Sequence, residues 1–104
     1  MPQFARQRDR NEPEIVRALE RAGAAVQRLG EAGVPDLLVS FRGELHLLEV
    51  KNPDAKGGAR YNTGVGALTS TQAKWWARWR GKQPVIVQTE AEALAAIGAV
   101  AVAT

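Results

Sequence analysis

Two carboxylic acids and an amine bracket the most apolar stretch of the sequence, PDLLVSFRGELHLLEVKN at 35–52. Asp36 opens its first apolar run, Glu49 closes its second, and Lys51 follows two residues later. With a two-residue turn at Arg42-Gly43, Phe41 faces Glu44, and counting outward from that pair sets Asp36 directly across from Glu49. A four-residue turn gives the same register, whereas a three-residue turn with a bulge at Gly43 slips it by one. Opposed Cβ atoms lie roughly 4.5–5.5 Å apart, and like charges at that separation destabilise a sheet unless something compensates. A hard divalent cation does so, because Mg²⁺ commonly takes one or two carboxylates and keeps waters and phosphate in its remaining positions. Lys51 projects from the same face as Glu49. An ammonium there balances the acids and can orient or help deprotonate a water whose pKa the metal lowers.

Acids and lysines also alternate on solvated strands, but LHLL and Val50 around Glu49 argue for a buried one. Glu12 adds a third acid. It lies three residues before Ile15, four before Val16 and seven before Leu19, and so shares their helical face; its alternative role is to complement the helix dipole from the first turn. Gln72, Trp75, Trp76 and Trp79 follow i, i+3, i+4, i+7 spacing, which aligns an amide with three indoles. The indoles suit packing on a sheet better than base stacking. The amide can reach a metal-bound water or the backbone near the carboxylates, or serve only as a satisfied polar group at the start of a helix. Lys74, Arg78 and Lys82 line a neighbouring face at four-residue intervals, suited to phosphate contacts or simply to solvation. Lys56, Arg60 and Tyr61 lie in a glycine-rich stretch that could close over a nucleic-acid strand and order on binding. His46 falls opposite Val39, on the other face from the acid pair, and reads as a core or supporting residue.

These side chains need elements to hold them. Asn11, Pro13 and Glu14 read as a capping box that starts a helix; its apolar face is Ile15, Val16, Leu19, Ala22 and Gly23. AAVQRL suggests a first strand at 25–29, broken by GEAGVP. Residues 36–41 and 44–51 form the next two strands. The segment from Asn52 to Leu68 exceeds the usual connection of about 4–6 residues. Thr69, Ser70 or Thr71 caps a second helix that runs to about Arg80, where Gly81 stops it. PVIVQT is a fourth strand, EAEALAAIG a third helix, and AVAVAT a last edge strand or a tail. The order α-β-β-β-α-β-α predicts an α/β sandwich: a small mixed sheet with helices on both faces and strands apolar on both sides.

At 104 residues the chain is one domain with a modest core. It has no cysteine, which excludes disulfides, thiolate metal sites and a thiol nucleophile. The start, MPQFARQRDRN, is polar and basic, and no apolar run approaches the ~20 residues of a membrane span. These features lead us to expect a soluble, intracellular, cytoplasmic protein without membrane contact. The net charge of +3 is mild, but its clustering at Arg6, Arg8 and Arg10 and again near Lys74 suits a polyanionic partner. There is no phosphate-binding GxxxxGK[ST] and no strand-linked GxGxxG, and no Ser/His/Asp triad can be built on the lone His46.

PD at 35–36 followed by EVK at 49–51 resembles the PD-(D/E)xK nuclease motif. Within that superfamily the chain is similar to the small VRR-NUC domains of phages and bacteria and to archaeal-type Holliday junction resolvases. The likeness runs from Glu12 to about Ile97, through GVPDLLV, LLEVK and LTSTQAKWW with its Gln72. It implies a restriction-endonuclease-like α-β-β-β-α-β core in a single domain over 1–104, with 1–10 as a basic arm and 52–68 as a flexible loop. It also implies a metal-dependent, structure-selective DNA endonuclease. Asp36 and Glu49 would bind Mg²⁺ or Mn²⁺ with help from the Val50 carbonyl, Lys51 would position or activate the water, and Glu12 and Gln72 would support the site. Homodimers are common among such nucleases. A short basic loop in place of an added DNA-reading domain favours branched or nicked duplex. The rivals are a Holliday junction resolvase proper, a non-catalytic nucleic-acid-binding module of the same fold, and a structural subunit with no DNA role.

Overall fold

Arg42 and Gly43 both take positive φ, 52° and 82°, the backbone of a two-residue turn whose twist matches the strands it joins. In the computed structural model, which describes residues 10–52 and 68–99, this turn joins β2 (Leu37–Phe41) to β3 (Glu44–Val50) with Phe41 level with Glu44 and Leu37 level with Leu48. The register is the one that places the two acids level, with no bulge at Gly43. β1 (Ala25–Arg28) adds antiparallel to β2, and β4 (Val85–Val87) adds parallel to β3, giving among the described residues a four-stranded mixed sheet in the order β1-β2-β3-β4. A parallel neighbour requires a crossover, and α2 (Ser70–Arg78) lies within it. With α1 (Glu12–Arg21) and α3 (Glu90–Ala96), three helices occur among the described residues. The chain is therefore a small α/β fold with a mixed sheet, as its pattern predicts. No described helix is long and apolar enough to cross a membrane.

Alternation divides the strand residues between two sides. Leu37, Val39 and Phe41 from β2, Leu48 and Val50 from β3 and Val87 from β4 join Ile15, Val16 and Leu19 of α1 and Ala93 of α3 in one buried cluster. The other side carries Leu38, Leu45 and Leu47 and meets Trp75 and Trp79. Coverage there is partial: Leu38 and Leu47 are half-buried, Leu45 is 63% exposed, and α2 has no fully buried residue. Strands apolar on both sides are thus present, but only one side is sealed.

Several boundaries differ from the sequence reading. Asn11 is the N-cap of α1 but makes no capping bond; its side-chain amide instead donates to the Lys51 carbonyl at 3.1 Å and the Gln88 carbonyl at 2.7 Å. The capping box is therefore absent, because Asn11 ties the helix start to the ends of β3 and β4. The buried face of α1 is Glu12, Ile15, Val16, Ala18 and Leu19, while Ala22 and Gly23 are exposed beyond the helix end. α2 stops at Arg78, short of Gly81: Trp79 is already extended, and its indole N–H donates to the Lys82 carbonyl at 3.0 Å. Lys82 consequently leaves the helical stripe of Lys74 and Arg78. β1 and β3 each end one residue early, although pairing continues in single bonds from Leu29 N–H to the Asp36 carbonyl and from Lys51 N–H to the Val87 carbonyl. The basic arm at 1–9, the segment at 53–67 and the tail at 100–104 lie outside the described residues.

Candidate functional site

Extending the hairpin register by one pair sets Asp36 level with Glu49, and both are buried, at 6% and 3% exposure. Asp36 sits where β2 begins, and its carboxylate Oδ2 accepts the Val50 N–H at 2.8 Å, replacing a backbone carbonyl in the ladder. The next residue back, Pro35, is level with Val50 in the same register and has no N–H to offer the Val50 carbonyl. The dipeptide at 35–36 thereby changes how β2 and β3 end: an acid takes the donor, and a proline makes no claim on the acceptor.

α2 closes over this end. Thr69 caps the helix by accepting the Gln72 N–H at 3.2 Å, while Gln72 Oε1 accepts the Thr69 N–H at 2.9 Å, a reciprocal capping box. The same Gln72 amide donates through Nε2 to Glu49 Oε2 at 2.8 Å and accepts through Oε1 from Lys51 Nζ at 3.3 Å. Lys51 Nζ lies 3.6 Å from Glu49 Oε2. One side chain thus caps the helix and bonds to both the acid and the amine. Gly33 helps set the height of α2. Its φ is +86°, and an added Cβ would lie 3.0 Å from Thr71 Cγ2 and 3.1 Å from the Thr71 carbonyl oxygen, so only glycine lets the loop before Asp36 pass so close to the helix start.

Glu12 occupies the predicted helical face and is 1% exposed. Its Oε2 accepts from Arg28 Nε at 3.0 Å, so β1 supplies its cation. Among the described residues no group of three or more His, Cys, Asp or Glu side chains is placed to hold a metal ion. The register sets the Asp36 and Glu49 carboxylates and the Val50 carbonyl at the ends of adjacent strands. Such hard oxygens on adjacent strands fit Mg²⁺ or Mn²⁺, which need only one or two protein carboxylates.

Lys74 and Arg78 are exposed on α2, while Lys56, Arg60 and Tyr61 lie outside the described residues. His46 is buried on the α1/α3 side, as its pairing with Val39 requires. Its Nδ1 is 3.0 Å from Lys82 Nζ, and because an ammonium has only donors, Nδ1 acts as acceptor. Burial, together with the Lys82 charge, holds the His46 pKa below its ordinary value, with Glu44 opposing. Asn11, Arg28 and Gly33 shape the site region without a local sequence signal, since each acts on a residue at least 16 positions away. No protein-family model, curated protein or solved structure matches the chain.

Proposed function

We propose that this chain is a metal-dependent DNA endonuclease of the PD-(D/E)xK kind, built on a restriction-endonuclease-like core and hydrolysing phosphodiester bonds in branched or nicked duplex. One observation carries the reading: two buried carboxylates level across a hairpin, with an ammonium and a helix-borne amide joined to one of them. Asp36, Glu49 and the Val50 carbonyl would hold Mg²⁺ or Mn²⁺. Such an ion supplies a water of lowered pKa and stabilises charge on the phosphate. Lys51 places a positive charge beside Glu49, where it attracts the phosphate and orients the attacking water. Gln72 fixes both partners: its amide oxygen faces the ammonium, its nitrogen faces the carboxylate, and the capping box holds it in that orientation. Lys74 and Arg78, exposed on the same helix, offer charge to the flanking backbone. A homodimer, with each protomer cutting one strand, completes the proposal and is checked by sedimentation.

The test is cleavage of four-way, flap, nicked and linear duplex DNA with Mg²⁺ or Mn²⁺, comparing wild type with Asp36→Ala. Preference for branched or nicked forms, abolished in the variant, supports the reading. A strict requirement for four-way junctions would make the chain a Holliday junction resolvase proper. Cleavage undiminished in Asp36→Ala removes the assignment, and salt-sensitive DNA binding without cleavage makes the chain a binding module.

A further inference from the structure

A cavity of about 460 Å³ lies between α2 and the half-covered side of the sheet, with Leu38, Leu45, Leu47, Trp75 and Trp79 among its walls. That volume falls within the range of sites that hold small flat molecules. Its position ties it to the acid pair. Leu38 and Leu47 are cross-strand partners two residues along from Asp36 and Glu49, hence on the same face and roughly 6–7 Å away along the strands. Trp75 and Trp76 lie one turn beyond Gln72 on α2. The chamber therefore begins where the charged site ends.

We propose that this cavity receives an unpaired nucleobase of a DNA strand whose backbone lies across Asp36 and Glu49, a proposal that rests on the nuclease reading above. Apart from Lys82 the walls are apolar, so they suit the flat, uncharged part of a nucleotide. Trp75 and Trp79 lie stacked, with ring centroids 4.6 Å apart and planes at 19°. The Trp79 N–H is already given to the Lys82 carbonyl, so this indole offers the cavity no hydrogen bond. Stacking without polar readout tolerates any base. Lys74 and Arg78 are exposed on the same helix, where phosphates of the strand would remain in water. A base held in a continuous duplex cannot enter, which selects nicks, flaps and junctions, where a base can leave the stack at low cost. Leu45, 63% exposed among the cavity walls, is the apolar surface such a base would cover.

The test is made in EDTA, by fluorescence anisotropy, with a short single-stranded oligonucleotide and its counterpart of equal length in which every sugar is abasic. Wild type should bind the base-bearing strand roughly tenfold more tightly. Trp79→Ala should erase that preference. So should Leu47→Phe, which fills the chamber while keeping every indole. In both variants the rise in Tm caused by Mn²⁺ should be unchanged. Equal binding of the two strands by wild type overturns the proposal. It is also overturned if Trp79→Ala and Leu47→Phe keep the base preference but dissociate a dimer in sedimentation, which would assign the cavity to a second copy of the chain. A base preference that survives while Mn²⁺ binding and cleavage are absent sinks the nuclease reading and leaves the pocket standing.

Discussion

On the α1/α3 side of the sheet Leu37, Leu48, Val50 and Val87 have no measurable exposure, whereas on the α2 side Leu38 and Leu47 are half-buried and Leu45 lies mostly in water. The neighbours Leu47 and Leu48 belong to one strand and differ only in the direction of their side chains. The sealed side has two helices packed on each other and on the sheet, and its buried acid, Glu12, is paired with Arg28. The open side holds Asp36, Glu49 and Lys51 at the end of the hairpin, where Gln72 of α2 bonds to Glu49 and Lys51. The sealed core and the paired hairpin acids thus occupy opposite faces of one sheet. Charged groups at a site must be reached by ions, water and substrate, and elements of low local stability are where such access is found.

The comparison breaks most visibly through adjacent leucines. Leu48→Ala should cost about 2–5 kcal/mol, the range for emptying a sealed core position. Leu47→Ala should cost about 1 kcal/mol, because a half-exposed side chain has less transfer energy to lose and water fills the space. Urea unfolding of both variants checks this, and equal costs would mean that α2 seals its side as firmly as α1 and α3 seal theirs. Gly33→Ala sharpens the contrast from the loop: a left-handed residue and a contact with Thr71 should together cost about 1–2 kcal/mol. The added methyl should also lift α2 and weaken the Gln72 bond to Glu49, seen as a red shift in tryptophan fluorescence at unchanged far-UV circular dichroism.

The smallest effect concerns His46, on the sealed side. Its folded pKa is depressed below the ordinary 6.5, so the unfolded chain binds the proton more readily. The contribution to stability is therefore complete above about pH 6.5 and is lost as pH falls from there through the folded pKa. The slope is at most about 1.4 kcal/mol per pH unit. Urea midpoints measured across that interval should decline in wild type more than in His46→Gln; parallel declines would locate the pH dependence in other groups.

The hairpin was legible because its information is local. Arg42-Gly43 marks the turn and the alternation sets the faces; a two- or four-residue turn brings Asp36 level with Glu49, and the structure excludes only the bulged alternative. Gln72 was half legible: its place at a helix start and its alignment with the indoles follow from spacing, but its simultaneous grip on Glu49 and Lys51 needs the crossover that returns α2 to the end of β3. Asn11 misled for the opposite reason. Its local pattern is that of a cap, yet carbonyls 40 and 77 residues away compete successfully for its amide. The Glu12 pairing with Arg28 and the Lys82 contact with His46 are likewise long-range, and neither spacing nor composition encodes them. Spacing identifies the tryptophan face of α2, but periodicity carries no measure of how fully the opposing sheet covers it.

Mn²⁺ binding, followed by isothermal titration at near-neutral pH, bears most directly on the pairing of the two hairpin acids. Wild type should take up the ion, and Asp36→Asn and Glu49→Gln should each lose that binding while unfolding at nearly the wild-type urea concentration, since both amides keep a hydrogen-bonding oxygen in place. Binding that persists undiminished in either variant would show that the acids do not act together on a cation, and the site would have to be sought elsewhere.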